Sequence, residues 1–358
     1  MKKMKVSTLK IAATYIGIVV GAGFATGQEL MQFFVAYGIY GFWGITLTTL
    51  LFIVFGFIIM NLGYELNAKS HLDILRYSSG RALEFTMDIL ITFVLFGSLT
   101  AMIAGTGALF NQYGISSVSG SLIMAAITTF TVLFGISGVI NSVSAIVPFL
   151  LASVVGICLF SITNTPPNMA LSASLVKSGL VDHWILSAIL YASYNIVISI
   201  AVLGPLGAHA KSKNAIKNGA ILGGLGLGLG SVLIYFAISG NLESVKDLEV
   251  PMAYIAGNIS AWVQTIFTFI LIAEVYTTAV GSLYGFSARI FDAGKTSLNG
   301  KIIFTATIAF LSSLVGFSNL VKYFYPLVGY GGILLLISLL YCSIKPVFKR
   351  FKDCRAYK

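Results

Sequence analysis

Ten mostly apolar stretches, each of about 20 residues or more, follow one another along this chain, over residues 10–36, 41–62, 84–110, 119–139, 143–163, 183–208, 214–239, 258–288, 301–317 and 320–343. That is the length a helix needs to cross a hydrocarbon core of about 30 Å. No water is available inside a bilayer to satisfy open backbone groups, so the series predicts an all-α, polytopic membrane protein of the cell membrane. With 57% of its residues hydrophobic and 9% charged, the chain is far from a soluble domain, where about a quarter are charged. The first apolar run is too long, and too rich in polar interruptions, for a cleavable signal peptide.

The formal net charge of +10 raises the question of a nucleic-acid partner, and the placement of the charges answers it. Of the 22 Lys and Arg residues, 19 fall in the N-terminal tail, the 2/3, 6/7 and 8/9 loops and the C-terminal tail. The opposite loops keep only Lys177, Lys246 and Lys322, and the one between spans 7 and 8 carries Glu243, Asp247 and Glu249. This is the positive-inside asymmetry, which predicts an even number of spans with both termini in the cytoplasm and no nucleic acid. Cys158, Cys342 and Cys354 have no metal-binding or redox spacing.

The first span contains a stretch unsuited to a plain anchor: Gly17, Gly21, Gly23 and Gly27, followed by Gln28 and Glu29. Each glycine costs a helix roughly 1 kcal/mol relative to alanine, and a carboxylate at membrane depth costs at least about 2.5 kcal/mol. One reading is a helix that unwinds near Gly21 and Gly23, freeing backbone groups to hold a ligand. The other is a packing face, since Gly17 and Gly21 have the spacing of close helix contacts. Amides at the start of the outer half-helix, with its dipole, would hold an anion without a buried cation, and this span offers no Arg or Lys beyond its cytoplasmic start.

Two more polar islands interrupt later spans. Span 6 carries Tyr191, Ala192, Ser193, Tyr194 and Asn195 ahead of Gly204 and Pro205, and span 8 carries Glu274, Tyr276, Thr277 and Thr278. Residues 63–81 suit a short interfacial helix, Glu84 and Asp88 fit the first turns of helix 3, where the dipole favours acids, and Pro148 is placed to bend helix 5. Helices 4 and 5 join at residues 136–144. Glycines alternating with leucine over 223–230 allow tight packing in helix 7, and the outer loop 241–258 suits a small lid. The connection 164–182 divides the spans into five and five. With an odd number in each half, the second half enters the membrane from the opposite side, so the expected organisation is one transmembrane domain over 1–358, with an inverted repeat of 10–163 and 183–343 and a basic tail over 344–358. Spans 1 and 6 are then equivalent, and matched interruptions point to a binding site near the midplane.

In Gly21-Ala22-Gly23-Phe24-Ala25-Thr26-Gly27-Gln28-Glu29, and in this five-plus-five arrangement, the chain resembles the amino acid, polyamine and organocation transporter superfamily with the LeuT-type fold. Within it the nearest likeness is to bacterial YkvI-like membrane proteins. The resemblance implies that helices 1 and 6 are both broken. It places the substrate against Ala22, Gly23 and Phe24, and against Tyr191, Ala192, Ser193, Tyr194 and Asn195; Gln28, where this chain departs from the family, is a further candidate contact. It also implies a sodium site made of the Gly17, Val20 and Glu274 carbonyls with the Thr277 and Thr278 hydroxyls. Adjacent hydroxyls in membrane helices are equally explained by bonds to their own preceding turn.

Glu29 and Glu274 are the acids set within spans away from their ends, and so are coupling candidates; if either titrates during transport, the coupling ion is a proton. Otherwise they are hydrogen-bonded packing residues. Helix 5 offers no lysine to replace the cation, which favours sodium. His71, His183 and His209 lie at loops or span ends without a His-Glu-x-x-His pair, so no enzyme is expected. The expectation is an ion-coupled secondary transporter of a small amino acid or related carboxylate-bearing, zwitterionic solute. No cofactor besides Na+ or H+ is expected, and no partner beyond the solute and the bilayer. The alternative is a ligand receptor that keeps the fold without transporting.

Overall fold

The computed structural model describes residues 6–68, 70–134, 139–169, 181–290 and 298–344. The junction expected at 136–144 lies partly outside them, as do much of the 164–182 connection, most of the 8/9 loop and the basic tail. Seven helices among the described residues are long and apolar enough to cross a membrane, making this a multi-pass, all-helical membrane protein.

The first half begins with α1 (Thr8–Val19), α2 (Ala22–Thr26) and α3 (Gln28–Phe33), then a single 3₁₀ turn, Val35–Tyr37. It continues with α4 (Ile39–Leu66), α5 (His71–Gln112), α6 (Ser117–Phe134) and α7 (Val139–Asn164), which contains Pro148. The second half has α8 (Trp184–Ala208), α9 (Lys213–Gly240), the short α10 (Leu242–Val245) and α11 (Pro251–Gly257), then α12 (Ala261–Ile290) and α13 (Leu298–Ser313). The last span enters through α14 (Phe317–Asn319) and a π turn, Leu320–Phe324, before α15 (Tyr325–Ile344).

The interfacial helix expected over 63–81 is absent. Instead α4 runs on to Leu66, the chain turns at Asn67 with φ 49°, and α5 starts directly at His71. The cause is a capping box: the Ser70 side chain accepts the Asp73 amide while the Asp73 carboxylate accepts the Ser70 amide at 3.1 Å, which fixes the helix start there. Glu84 and Asp88 consequently sit inside α5 rather than in its first turn. They form ion pairs instead, Glu84 with Arg76 at 2.7 Å and Asp88 with Arg289 of α12 at 2.6 Å.

The halves interlock rather than stand side by side: α1 lies on α9, α4 on both α8 and α9, and α12 on α5. Small residues permit these crossings. A methyl group at Gly63 of α4 would strike the Gly204 carbonyl of α8, and one at Gly207 would strike the Met60 carbonyl. The glycines of α9 seat side chains of α1, with Ile11 over Gly219 and Tyr15 over Gly223, so that run serves packing. Tyr15 then donates its hydroxyl to the Phe52 carbonyl of α4 at 2.8 Å. On the acidic-loop side, Gln112 donates to Val250 O at 2.9 Å, tying the segment before α11 to the end of α5.

Candidate substrate and ion site

The first span loses its regular hydrogen bonding at the glycines. Val20 has ψ 88° and Gly21 is fully extended, so the Gly21 amide turns to Val19 O at 3.0 Å instead of the carbonyl four residues back. Helix resumes at Ala22 for five residues only. Gly27, with φ 81°, ends that piece in a left-handed conformation that a side chain disfavours, and α3 starts afresh at Gln28. The outer half of the span is therefore two short pieces, too short for the dipole argument to carry an anion site.

The turn at Gly27 brings Glu29 back over Gly23. A Cβ on Gly23 would collide with Glu29 Oε1, so the glycine makes room for that carboxyl group. The other oxygen, Oε2, accepts the hydroxyl of Tyr194 from α8. Both Glu29 and Tyr194 are buried. Around them stand aromatic rings: Phe33 packs on Tyr191 and Tyr194 at centroid distances of 5.3 and 5.8 Å, Phe34 on Tyr191 at 4.9 Å, Phe52 on Tyr191 at 6.1 Å, and Tyr194 on Tyr325 at 5.1 Å. The Tyr191 hydroxyl is buried beside the Glu29 carboxyl. Phe33, Phe34, Phe52 and Tyr325 escaped the sequence reading, where they looked like ordinary apolar positions.

The break expected in span 6 does not occur, since α8 is continuous from Trp184 to Ala208. Neither glycine nor proline interrupts it before Gly204, and its polar side chains find partners without unwinding. Asn195 donates to the Tyr191 carbonyl one turn back at 2.9 Å, and Ser193 donates to the Gly329 carbonyl of α15 at 2.8 Å. Ser193 and Asn195 are thus bonded to backbone carbonyls, and Tyr191 and Tyr194 lie beside Phe33 and Glu29. Ala192 is fully buried. Ala22 opens α2, and the ring of Phe24 lies against Gly230 of α9. Gln28 is turned away to Ser318, with its Nε2 donating at 2.9 Å.

Among the expected sodium ligands, Val20 lies at the interruption and Gly17 one turn before it, beside Val147. The opposing helix α12 packs on α2. There the Thr277 hydroxyl donates to the Glu274 carbonyl at 2.9 Å, so two of the expected ligands bond to each other, as hydroxyls inside helices commonly do. Thr278 is half-buried. The Glu274 side chain is buried and its Oε2 has no hydrogen-bond partner. No Lys or Arg is buried among the described residues, whereas two carboxyl groups, Glu29 and Glu274, are.

No protein-family model matches the chain. It is 31% identical over 353 residues to the uncharacterized membrane protein YkvI of Bacillus subtilis (strain 168), covering 97% of this chain and 99% of that one. To the uncharacterized protein YyaD of the same organism it is 27% identical over 339 residues, covering 94% and 96%. Among solved structures it is similar to MhsT in complex with L-phenylalanine, with a TM-score of 0.65 at 15% identity over 96% of this chain and 93% of the other. It also resembles inward-facing Mhp1, with a TM-score of 0.57 at 14% identity over 91% and 74%. A Na+-coupled sialic acid symporter gives a TM-score of 0.56 at 12% identity over 94% and 76%. The chain thus has the LeuT-type transporter fold, and it belongs to the family of the membrane protein YkvI.

Proposed function

We propose that this protein is a secondary transporter that moves a small amino acid or related zwitterionic solute by alternating access, with sodium as the coupling ion. The observation that carries the reading is the buried carboxyl of Glu29 lodged at the interruption of the first span and walled by aromatic rings. Plain packing helices do not leave backbone unpaired and a carboxyl buried at one depth, because both are costly in hydrocarbon. The fold shared with MhsT and Mhp1 supports transport, and the sialic acid symporter, described as Na+-coupled, supports the choice of ion.

In this reading the chain crosses the membrane ten times. The first crossing is segmented (α1 to α3), and α6 and α13 are crossings shorter than the rest. The basic loops and both termini face the cytoplasm. Sodium sits between the Gly17 and Val20 carbonyls and the Glu274–Thr278 turn, and on binding takes the Glu274 carbonyl from Thr277. A second reading, proton coupling, is favoured by the unpartnered Oε2 of Glu274, a buried carboxyl with nothing to hold its charge. Protein in sealed liposomes, given a labelled amino acid mixture under an imposed sodium or proton gradient, separates these. Accumulation driven by sodium supports the first reading and accumulation driven by protons the second. Binding without uphill flux under either gradient makes the protein a receptor.

A further inference from the structure

The carboxyl group at the helix interruption belongs to the protein. Glu29 Oε1 fills the space above Gly23 that a side chain at that position would take, and Oε2 is held by the Tyr194 hydroxyl. An ionised carboxylate accepts about four hydrogen bonds; Tyr194 supplies one, and Tyr191 is the other side-chain donor beside it. A buried charge is tolerated when it is paired, yet no Lys or Arg is buried among the described residues. Among the described residues, the ion pairs of Arg76 with Glu84, Lys213 with Glu65 and Arg289 with Asp88 involve none of the groups at this site. Among the described residues no countercharge stands beside the Glu29 carboxyl.

The surroundings are those a cation prefers. Phe33, Tyr191, Tyr194 and Tyr325 form a continuous set of ring contacts at 5.1–5.8 Å, and aromatic faces attract ammonium groups. The Tyr191 hydroxyl, fully buried beside the Glu29 carboxyl, has lone pairs to offer an N–H donor even when its own hydrogen turns to Glu29. A second carboxylate brought here would face Glu29 as a like charge. We infer that Glu29 is the fixed counterion of the transported solute, so that the solute's ammonium group is what this protein recognises and its carboxylate is dispensable: organic amines without a carboxylate are ligands at least as good as the corresponding amino acids. This rests on the reading of the Glu29 region as the substrate seat and narrows the class of solute it takes.

The test uses the full-length protein in detergent and two matched sets of compounds: phenylalanine, phenethylamine and 3-phenylpropionate, and leucine, isopentylamine and 4-methylpentanoate. Binding is read by thermal shift and calorimetry on the wild-type chain. The expected result is that at least one amine binds as tightly as its parent amino acid or more so, that neither acid competes, and that Glu29→Gln lowers the amine affinity at least tenfold while Glu29→Asp loses less. Amino acids binding tenfold more tightly than both amines, competition by either acid, or a Glu29→Gln variant that folds and keeps wild-type amine affinity would each overturn the inference. So would the absence of binding by all six compounds. The wild-type comparison does not depend on whether either variant folds. Sodium- or proton-driven uptake of an amino acid that neither amine inhibits would defeat this inference and leave the transporter reading standing, whereas no binding and no flux for any compound would defeat both.

Discussion

Tyr194 and Glu29, 165 residues apart in sequence, meet in one hydrogen bond that joins α8 to α3 in the middle of the protein. Bonds to a charged partner are worth about 1.5–3 kcal/mol, so Tyr194→Phe, which keeps the ring and its contacts, is expected to weaken solute binding at least about tenfold. Equilibrium binding to purified protein checks this. A variant with wild-type affinity would show that the bond only packs the two helices.

At Gly23 the decisive contact is with the Glu29 carboxyl, so even a methyl group displaces it. Gly23→Ala should reduce binding at least about tenfold, and Gly23→Leu should abolish it, both with the protein still inserted and monodisperse. Size-exclusion profiles and a binding isotherm together decide the matter.

For the cation, Thr278 is the more telling of the two hydroxyls, because Thr277 already has a partner in Glu274 O. Losing one neutral ligand is worth about 1–1.5 kcal/mol. Thr278→Val is therefore expected to raise the sodium concentration for half-maximal uptake about tenfold while leaving the order of preferred solutes unchanged. An unaltered sodium response would remove the assignment.

The α4–α8 crossing has no slack. Gly63→Ala would force a methyl into the Gly204 carbonyl, and Gly207→Ala would do the same to the Met60 carbonyl. Overpacking of this kind costs about 1–3 kcal/mol. Each variant should unfold at lower temperature than wild type in the same detergent, and an unchanged midpoint would mean that the helices can slide apart.

At the start of α5, His71 is buried and its Nε2 lies 3.2 Å from Arg289 Nη2. A guanidinium has only donors, so the imidazole accepts and must be neutral. Burial first, and the Arg289 charge second, hold its pKa below the ordinary 6.5, against the opposing pull of Asp88 and Asp73. The unfolded chain then takes up a proton more readily than the folded one. The stability contributed by neutral His71 is fully present above pH 6.5 and is lost as the pH falls from there through the folded value. Thermal unfolding scanned from pH 7.5 to 5 should show His71→Gln losing less stability than wild type over that fall; parallel profiles would count against the coupling.

The interruption of the first span was legible because glycine spacing is a backbone property, written directly into residues 17–29. The polar island of span 6 was misread, because a run of polar residues looks the same whether the helix unwinds or its side chains bond elsewhere. Ser193 found Gly329 O and Asn195 found Tyr191 O, and neither partner can be named without the fold. Glu29 stood out as an acid in a span, yet its seat over Gly23 depends on the left-handed turn at Gly27 between them. The aromatic walls come from α3, α4, α8 and the start of α15, segments brought together only by the interlocking of the halves. Phe33, Phe52 and Tyr325 therefore carried no local signal.

Gly23 and Glu29 lie on opposite sides of Gly27, and a second flexible point, Gly21, precedes α2. The five residues of α2 are thus bounded at both ends by breaks in the helix, at Gly21 and at Gly27. A tilt of α2 between those breaks would lift Gly23 off the carboxyl that rests on it, so Gly21→Pro is expected to slow transport more than it weakens binding.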